Sequence, residues 1–151
     1  MPRWRLWARN DDGSAALEFI TAGVILLVPL AYLVITLGAV QESLLGVEAA
    51  ARHTARVIGQ ADDVDSAATN SDAVLTSVMD EYGMDAESVD VSMSCAPAGA
   101  ACPSAGATVI VTVRTRVSLP FVPPIFGLDR AASIPLEAVA AQKVSRLWGT
   151  G

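Results

Sequence analysis

From Phe19 to Val40 the chain reads FITAGVILLVPLAYLVITLGAV, without one charged side chain. As a helix rising about 1.5 Å per residue, this run reaches about 33 Å, enough to cross the hydrocarbon of a bilayer. The apolar part of a secretory signal peptide is shorter, about 7–15 residues, and ends at a small-x-small cleavage site. Here the run is longer and passes without a stop into a polar helical pattern, so it predicts a retained membrane helix. Arg3, Arg5 and Arg9 precede it, and no Lys or Arg follows until Arg52. Cationic flanks stay on the cytoplasmic side, which puts the amino terminus inside and the remainder outside. Trp4 and Trp7 in the short leader suit the bilayer interface.

The helical pattern continues past the membrane. In QESLLGVEAAARHTARVIGQ, Leu44, Val47, Ala51, Ala55 and Ile58 recur at steps of three and four, one apolar face of a continuing helix. Glu48 and Arg52 stand four apart on another face in the favourable order. Pro29 lies within the membrane half and is expected to bend or loosen it locally. Ala61–Asp72 reads as a polar linker, with Ser71 or Asp72 capping a short helix over Asp72–Tyr82. That helix would place Val74, Leu75, Val78 and Tyr82 on one side and stop at Gly83.

Beyond Gly83 the period falls to two. Val89, Val91 and Met93 alternate with Asp90, Ser92 and Ser94; Val109, Val111, Val113 and Val117 with Ile110, Thr112, Arg114 and Arg116; and Ile134, Leu136, Ala138 and Ala140 with Ser133, Pro135 and Glu137. Each stretch predicts a strand with one buried face, and Pro135 suits an edge strand. The expected fold class is α+β: a long amino-terminal helix, a short helix and a small antiparallel meander of about three strands. The stripe Leu44–Ile58 would cover the meander. The expected organisation is a cytoplasmic leader over 1–13, a transmembrane and amphipathic helix over 14–60, and an exported α/β domain over 61–151.

Cys95 and Cys102 fall in the exported part, in CAPAGAAC, and suggest a local disulfide pinning the loop between the first two strands. Free thiols and half a metal site are the alternatives; with His53 the only histidine, soft ligands are too few for a metal. LPFVPPIFGL, Leu119–Leu128, is a stiff apolar loop. Phe121, Ile125 and Phe126 are expected to fold under and close the core; the other reading is an exposed contact for a partner subunit or the bilayer surface. The tail QKVSRLWGTG is expected to fray.

Function classes narrow accordingly. The net charge is −6, and the exported part is acidic, which argues against nucleic-acid binding. His53, beside two arginines, is the only imidazole; no nucleophile elbow, metal cluster or phosphate-binding glycine loop appears. The chain reads as a non-enzyme without a cofactor.

One detail remains. Glu18 stands at the mouth of the apolar run, five places after Gly13 in DGSAALEF. Cleavage between Gly13 and Ser14 would create a terminal ammonium, and Glu18 would then be the fifth residue. A carboxylate in lipid is tolerable when paired, and a neighbouring subunit's ammonium is a fitting partner. Leader, glycine, spaced glutamate and long apolar helix resemble the processing site of type IV pilin precursors; Glu18-Phe19 resembles the Flp branch. Over residues 13–60 the chain resembles TadE-like minor pilins, or pseudopilins, of the tight-adherence (Tad) system, where G-x-A-x-x-E-F opens the helix and a segment like EAAARHTAR closes it. The resemblance implies a pilin-like fold and a bacterial inner-membrane, single-pass subunit, either there or in an extracellular pilus. It implies cleavage after Gly13 by a prepilin peptidase, and as partners other pilins and the Tad inner-membrane assembly proteins. The alternative is a membrane-anchored exported domain with no filament role.

Overall fold

Helix α1 runs unbroken over Ser14–Gln60, 47 residues, in the computed structural model, which describes residues 14–99, 101–122 and 125–149. The leader 1–13, including Trp4, Trp7 and Gly13, lies outside the described residues. The chain separates into two compact units, Met1–Leu37 and Gly38–Gly151, so the division falls within α1.

In the first unit the described side chains from Ala15 to Ile35 are all exposed, and most are large and aliphatic. A helix apolar all round, with none of that surface buried in its own protein, is suited to a lipid surrounding and is a candidate membrane span. The hydroxyl of Thr21 donates to the Leu17 carbonyl at 2.7 Å, so this polar group is satisfied within the helix. The chain is helical on both sides of Pro29.

The second unit begins with the remainder of α1. Helix α2 spans Val64–Glu81, a single 3₁₀ turn follows at Ala86–Ser88, and β1 (Asp90–Ala96), β2 (Thr108–Ser118), the short α3 (Leu128–Ala131) and β3 (Ser133–Lys143) complete it. The strands form an antiparallel meander in the order β1-β2-β3, with Met93 opposite Val111 and Val111 opposite Ala140. β3 is an edge, as Pro135 requires. The α+β class and the three-strand sheet agree with the pattern of the sequence.

One face of α1 lies in the core. Val47, Ala50, Ala51, Ala55 and Ile58 join Val109, Val111 and Val113 of β2, Ala67 and Val78 of α2, and Val144 in a single buried cluster. Each valine removed from water contributes about 1.5 kcal/mol or more. The α1 face is made of small residues, which lets the elements approach closely. A Cβ on Gly46 would stand 2.9 Å from Tyr82 Cβ, and one on Gly59 would stand 3.1 Å from the Lys143 carbonyl oxygen. Glycine inside a helix costs about 1 kcal/mol relative to alanine, and here close packing offsets that cost.

Several expectations are corrected. α2 starts at Val64, not near Asp72, because Asp63 and Ser66 form a reciprocal capping box: the Ser66 amide donates to the Asp63 carboxylate at 2.7 Å and the Asp63 amide to the Ser66 hydroxyl at 3.2 Å. The linker shrinks to a tight turn, and Ser71 is a buried helical residue donating to the Ala67 carbonyl. The stop at Gly83 holds: it takes a left-handed φ of 59°, and the Met84 amide reaches back to the Met79 carbonyl at 2.9 Å. Leu44, expected on the buried face, is exposed, because the core begins at Gly46. Val91 and Met93 of β1 are also exposed: the alternation is there, but the buried cluster centres on β2.

The tail, finally, is tied down. Val144 donates to Ala107 at 2.8 Å, Ser145 to Gly59 at 3.0 Å and Gly149 to Asp62 at 2.8 Å, while Trp148 packs on the core.

Candidate functional site

The sequence singled out Gly13, Ser14 and Glu18. Gly13 lies outside the described residues. Ser14 opens α1, and Glu18 follows four residues later, one turn on and on the same helical face. Glu18 is exposed, flanked by the exposed apolar side chains of Leu17 and Phe19. No other carboxylate occurs on α1 before Glu42. An ammonium created at Ser14 and the carboxylate of Glu18 would therefore form the one strongly polar spot on an otherwise apolar surface.

No family model, curated protein or solved structure matches this chain. Its function must be argued from its own residues.

Cys95 and Cys102 are joined as a disulfide with Cα atoms 5.6 Å apart, closing the β1–β2 connection. Among the described residues no group of three His, Cys, Asp and Glu side chains is gathered to hold a metal ion. His53 is exposed on α1, and Arg52 beside it is engaged with Glu48 at 2.9 Å.

The open face of the sheet carries a cross-strand fork. Arg114 donates from Nε and Nη2 to the two carboxylate oxygens of Glu137, both at 3.1 Å, and this pairing raises the guanidinium's pKa further above its ordinary value. Both side chains are about half exposed, so the fork fixes local geometry more than it stabilises the fold. On the other side of the sheet, Thr54, Ser71, Leu75, Val91, Met93 and Pro103 line part of a mostly apolar groove of about 360 Å³ between β1 and the helices.

At the start of α2 the Asp63 carboxyl titrates below its ordinary value of 3.8, chiefly because the Ser66 amide and hydroxyl favour the charged form. A depressed acid stabilises the fold above its unfolded pKa and loses that contribution as pH falls through the folded value. The first turn of α2 is thus expected to be protected at neutral pH and to open as pH drops below 3.8. Amide exchange at Ser66 checks this, and the same pH step should have little effect in Asp63→Asn; equal pH dependence in both chains contradicts it.

For the Leu119–Leu128 loop two expectations compete, closure of the core and an exposed contact. Phe121, Ile125 and Phe126 are exposed, so the expectation that they close the core is overturned. The buried cluster is made chiefly by α1, α2 and β2, without them.

Proposed function

We propose that this chain is a single-pass, membrane-anchored minor pilin of the TadE-like type, matured by prepilin peptidase cleavage between Gly13 and Ser14 and assembled with other pilins of a Tad machine. The observation that carries the reading is the single helix over Ser14–Gln60, whose first half is exposed and apolar and whose second half packs a small disulfide-closed α/β unit. Such a rod can stand in a bilayer before assembly and lie against other apolar rods afterwards. Both surroundings are dry, so its exposed aliphatic side chains need no rearrangement between them.

Glu18 gives the rod a register. In a bundle of apolar helices, van der Waals packing alone specifies axial position weakly; one charge pair specifies it strongly, because leaving a carboxylate unpaired in lipid is costly. The partner is the Ser14 ammonium of an adjacent subunit, which exists only after the leader is removed. Cleavage thereby becomes a licence for assembly. A plain membrane anchor with no filament role shares the helix and the disulfide but leaves Glu18 without a function.

Glu18→Gln tests the pairing. The variant is expected to insert normally and to be processed normally, while its co-purification with partner pilins falls at least about tenfold, because removing one member of a buried ion pair costs several kcal/mol. Undiminished co-purification of Glu18→Gln would remove the pairing argument and favour the plain anchor.

A further inference from the structure

The β2–β3 connection puts four of its large apolar side chains into solvent. Phe121 is 81 % exposed, Ile125 54 %, Phe126 101 % and Leu128 47 %. Phe121 and Phe126 hold left-handed backbones, φ 64° and 55°, which a bulky residue adopts only when its surroundings enforce it. Around Phe126 the enforcement is visible. Leu119 donates to Ala132 at 3.3 Å to close the base of the loop, Leu128 donates to Ile125 at 3.2 Å, and Ala131 donates to Gly127 at 3.1 Å. The turn is hydrogen-bonded into a shape that points phenylalanine outward, at a cost in both strain and hydration.

The place of this loop within the second unit says what those side chains meet. Ser43 of α1 lines one cavity with Val117 and Ser118, the last residues of β2. At the opposite end of the strand, Gly59 of α1 lies against Gln142 and Lys143, and Lys143 pairs with Thr108. The loop therefore leaves the unit at the end where α1 enters it. Ser43 is three residues past Val40, the last of the uncharged run; with that run as the span, Ser43 would stand about 5 Å along the helix beyond the hydrocarbon, in the headgroup layer. Arg116, exposed at the base of the loop, adds a cation, and no acidic residue occurs from Arg116 to Leu128.

We infer that Phe121, Ile125, Phe126 and Leu128 form a second membrane contact: a lipid-interface anchor that seats the exported unit on the outer surface of the bilayer. The inference rests on the membrane-span reading of α1 proposed above. Aromatic side chains prefer the headgroup boundary, and apolar groups of this kind insert about 5–10 Å into it. The anchor holds the loop at the bilayer surface before assembly and must let go when the subunit leaves the bilayer. Assembly then exchanges lipid for protein at this loop as well as along α1.

The test uses the full chain in vesicles of phosphatidylethanolamine and phosphatidylglycerol with brominated acyl chains. Trp4, Trp7 and Trp148 are replaced by Phe, and Phe126→Trp supplies the reporter. Leu128→Trp is a second reporter in case the first chain does not fold, and Val139→Trp, on the exposed face of the sheet, is the wet control. The inference expects blue-shifted emission and about a twofold loss of intensity at position 126 or 128, as for a side chain at the interface, and no loss at position 139. Unquenched, water-like emission at 126 and 128 from a chain that resists an alkaline carbonate wash overturns the loop contact and leaves the span standing. Release of the chain by that wash overturns the span and the inference with it. A blue shift that appears only when other native membrane proteins are co-reconstituted assigns the loop to a protein partner and also overturns it.

Discussion

Val111→Asp is expected to unfold the second unit, whereas Val139→Asp, on the neighbouring strand, is expected to leave it intact. Val111 is fully buried in the middle of the central strand, facing α1. An aspartate there forfeits the valine's burial and brings in a carboxylate with no cation in the cluster to meet it. The combined loss is at least about 4 kcal/mol, comparable with the whole stability of a small domain. Val139 lies on the other face of the sheet and is exposed, so the same change there should cost less than about 0.5 kcal/mol. Urea unfolding of the detergent-held chain, followed by amide exchange at Val109 and Val113, separates the two. Equal tolerance at both positions would mean that α1 does not cover this face of the sheet.

Loss of the disulfide is the second large effect. Cys95 and Cys102 are seven positions apart, so the closed ring is small, and the chain-entropy account gives about 2–3 kcal/mol for it. For a unit of this size that corresponds to a fall in melting temperature of roughly 10 °C or more. Cys95→Ser and Cys102→Ser, singly or together, should show the same fall, and a reductant should reproduce it in the wild-type chain. β1 depends on the bridge more than β2 does, because its Val91 and Met93 are largely outside the buried cluster. Exchange should therefore rise first along β1. An unchanged melting temperature under reduction would contradict this assignment.

How far the fold could be read in the sequence depends on the kind of signal each element carries. α1 was legible along its whole length because two strong patterns meet in it, an uncharged run and then a three-and-four stripe ending at Ile58. β2 was legible because Val109, Val111 and Val113 alternate cleanly and are buried. The first half of α2 was not, because its inward positions are Ala67 and Ser71, residues too small or too polar to register as a hydrophobic stripe. Its true start was marked by Asp63 and Ser66, three apart, a capping signal weaker than the polar composition around it. The tail is held by backbone hydrogen bonds to Ala107, Gly59 and Asp62 and by Val144 and Trp148 on the core; backbone pairing leaves no trace in side-chain pattern, and two apolar residues four apart make too short a stripe to read.

The loop at Phe121–Leu128 failed for a different reason. Sequence reasoning buries large apolar residues against their own protein, and side-chain pattern alone does not distinguish that fate from an exposed apolar patch. The candidate site divides similarly. Glu18 stood out because an acid beside an uncharged run is physically conspicuous, and α1 puts it one turn after Ser14. The spacing of Gly13 and Glu18 says where the proposed cut would fall but carries no information about which subunits would lie alongside.

The proposed function turns on whether the ammonium that Glu18 needs is ever made. Amino-terminal sequencing of the native protein, extracted from the membranes of its own cells, tests this directly. The account predicts a chain beginning at Ser14, with residues 1–13 removed. A native chain that still begins at Met1 would contradict it, leaving Glu18 with no terminal charge to meet and favouring the plain membrane anchor.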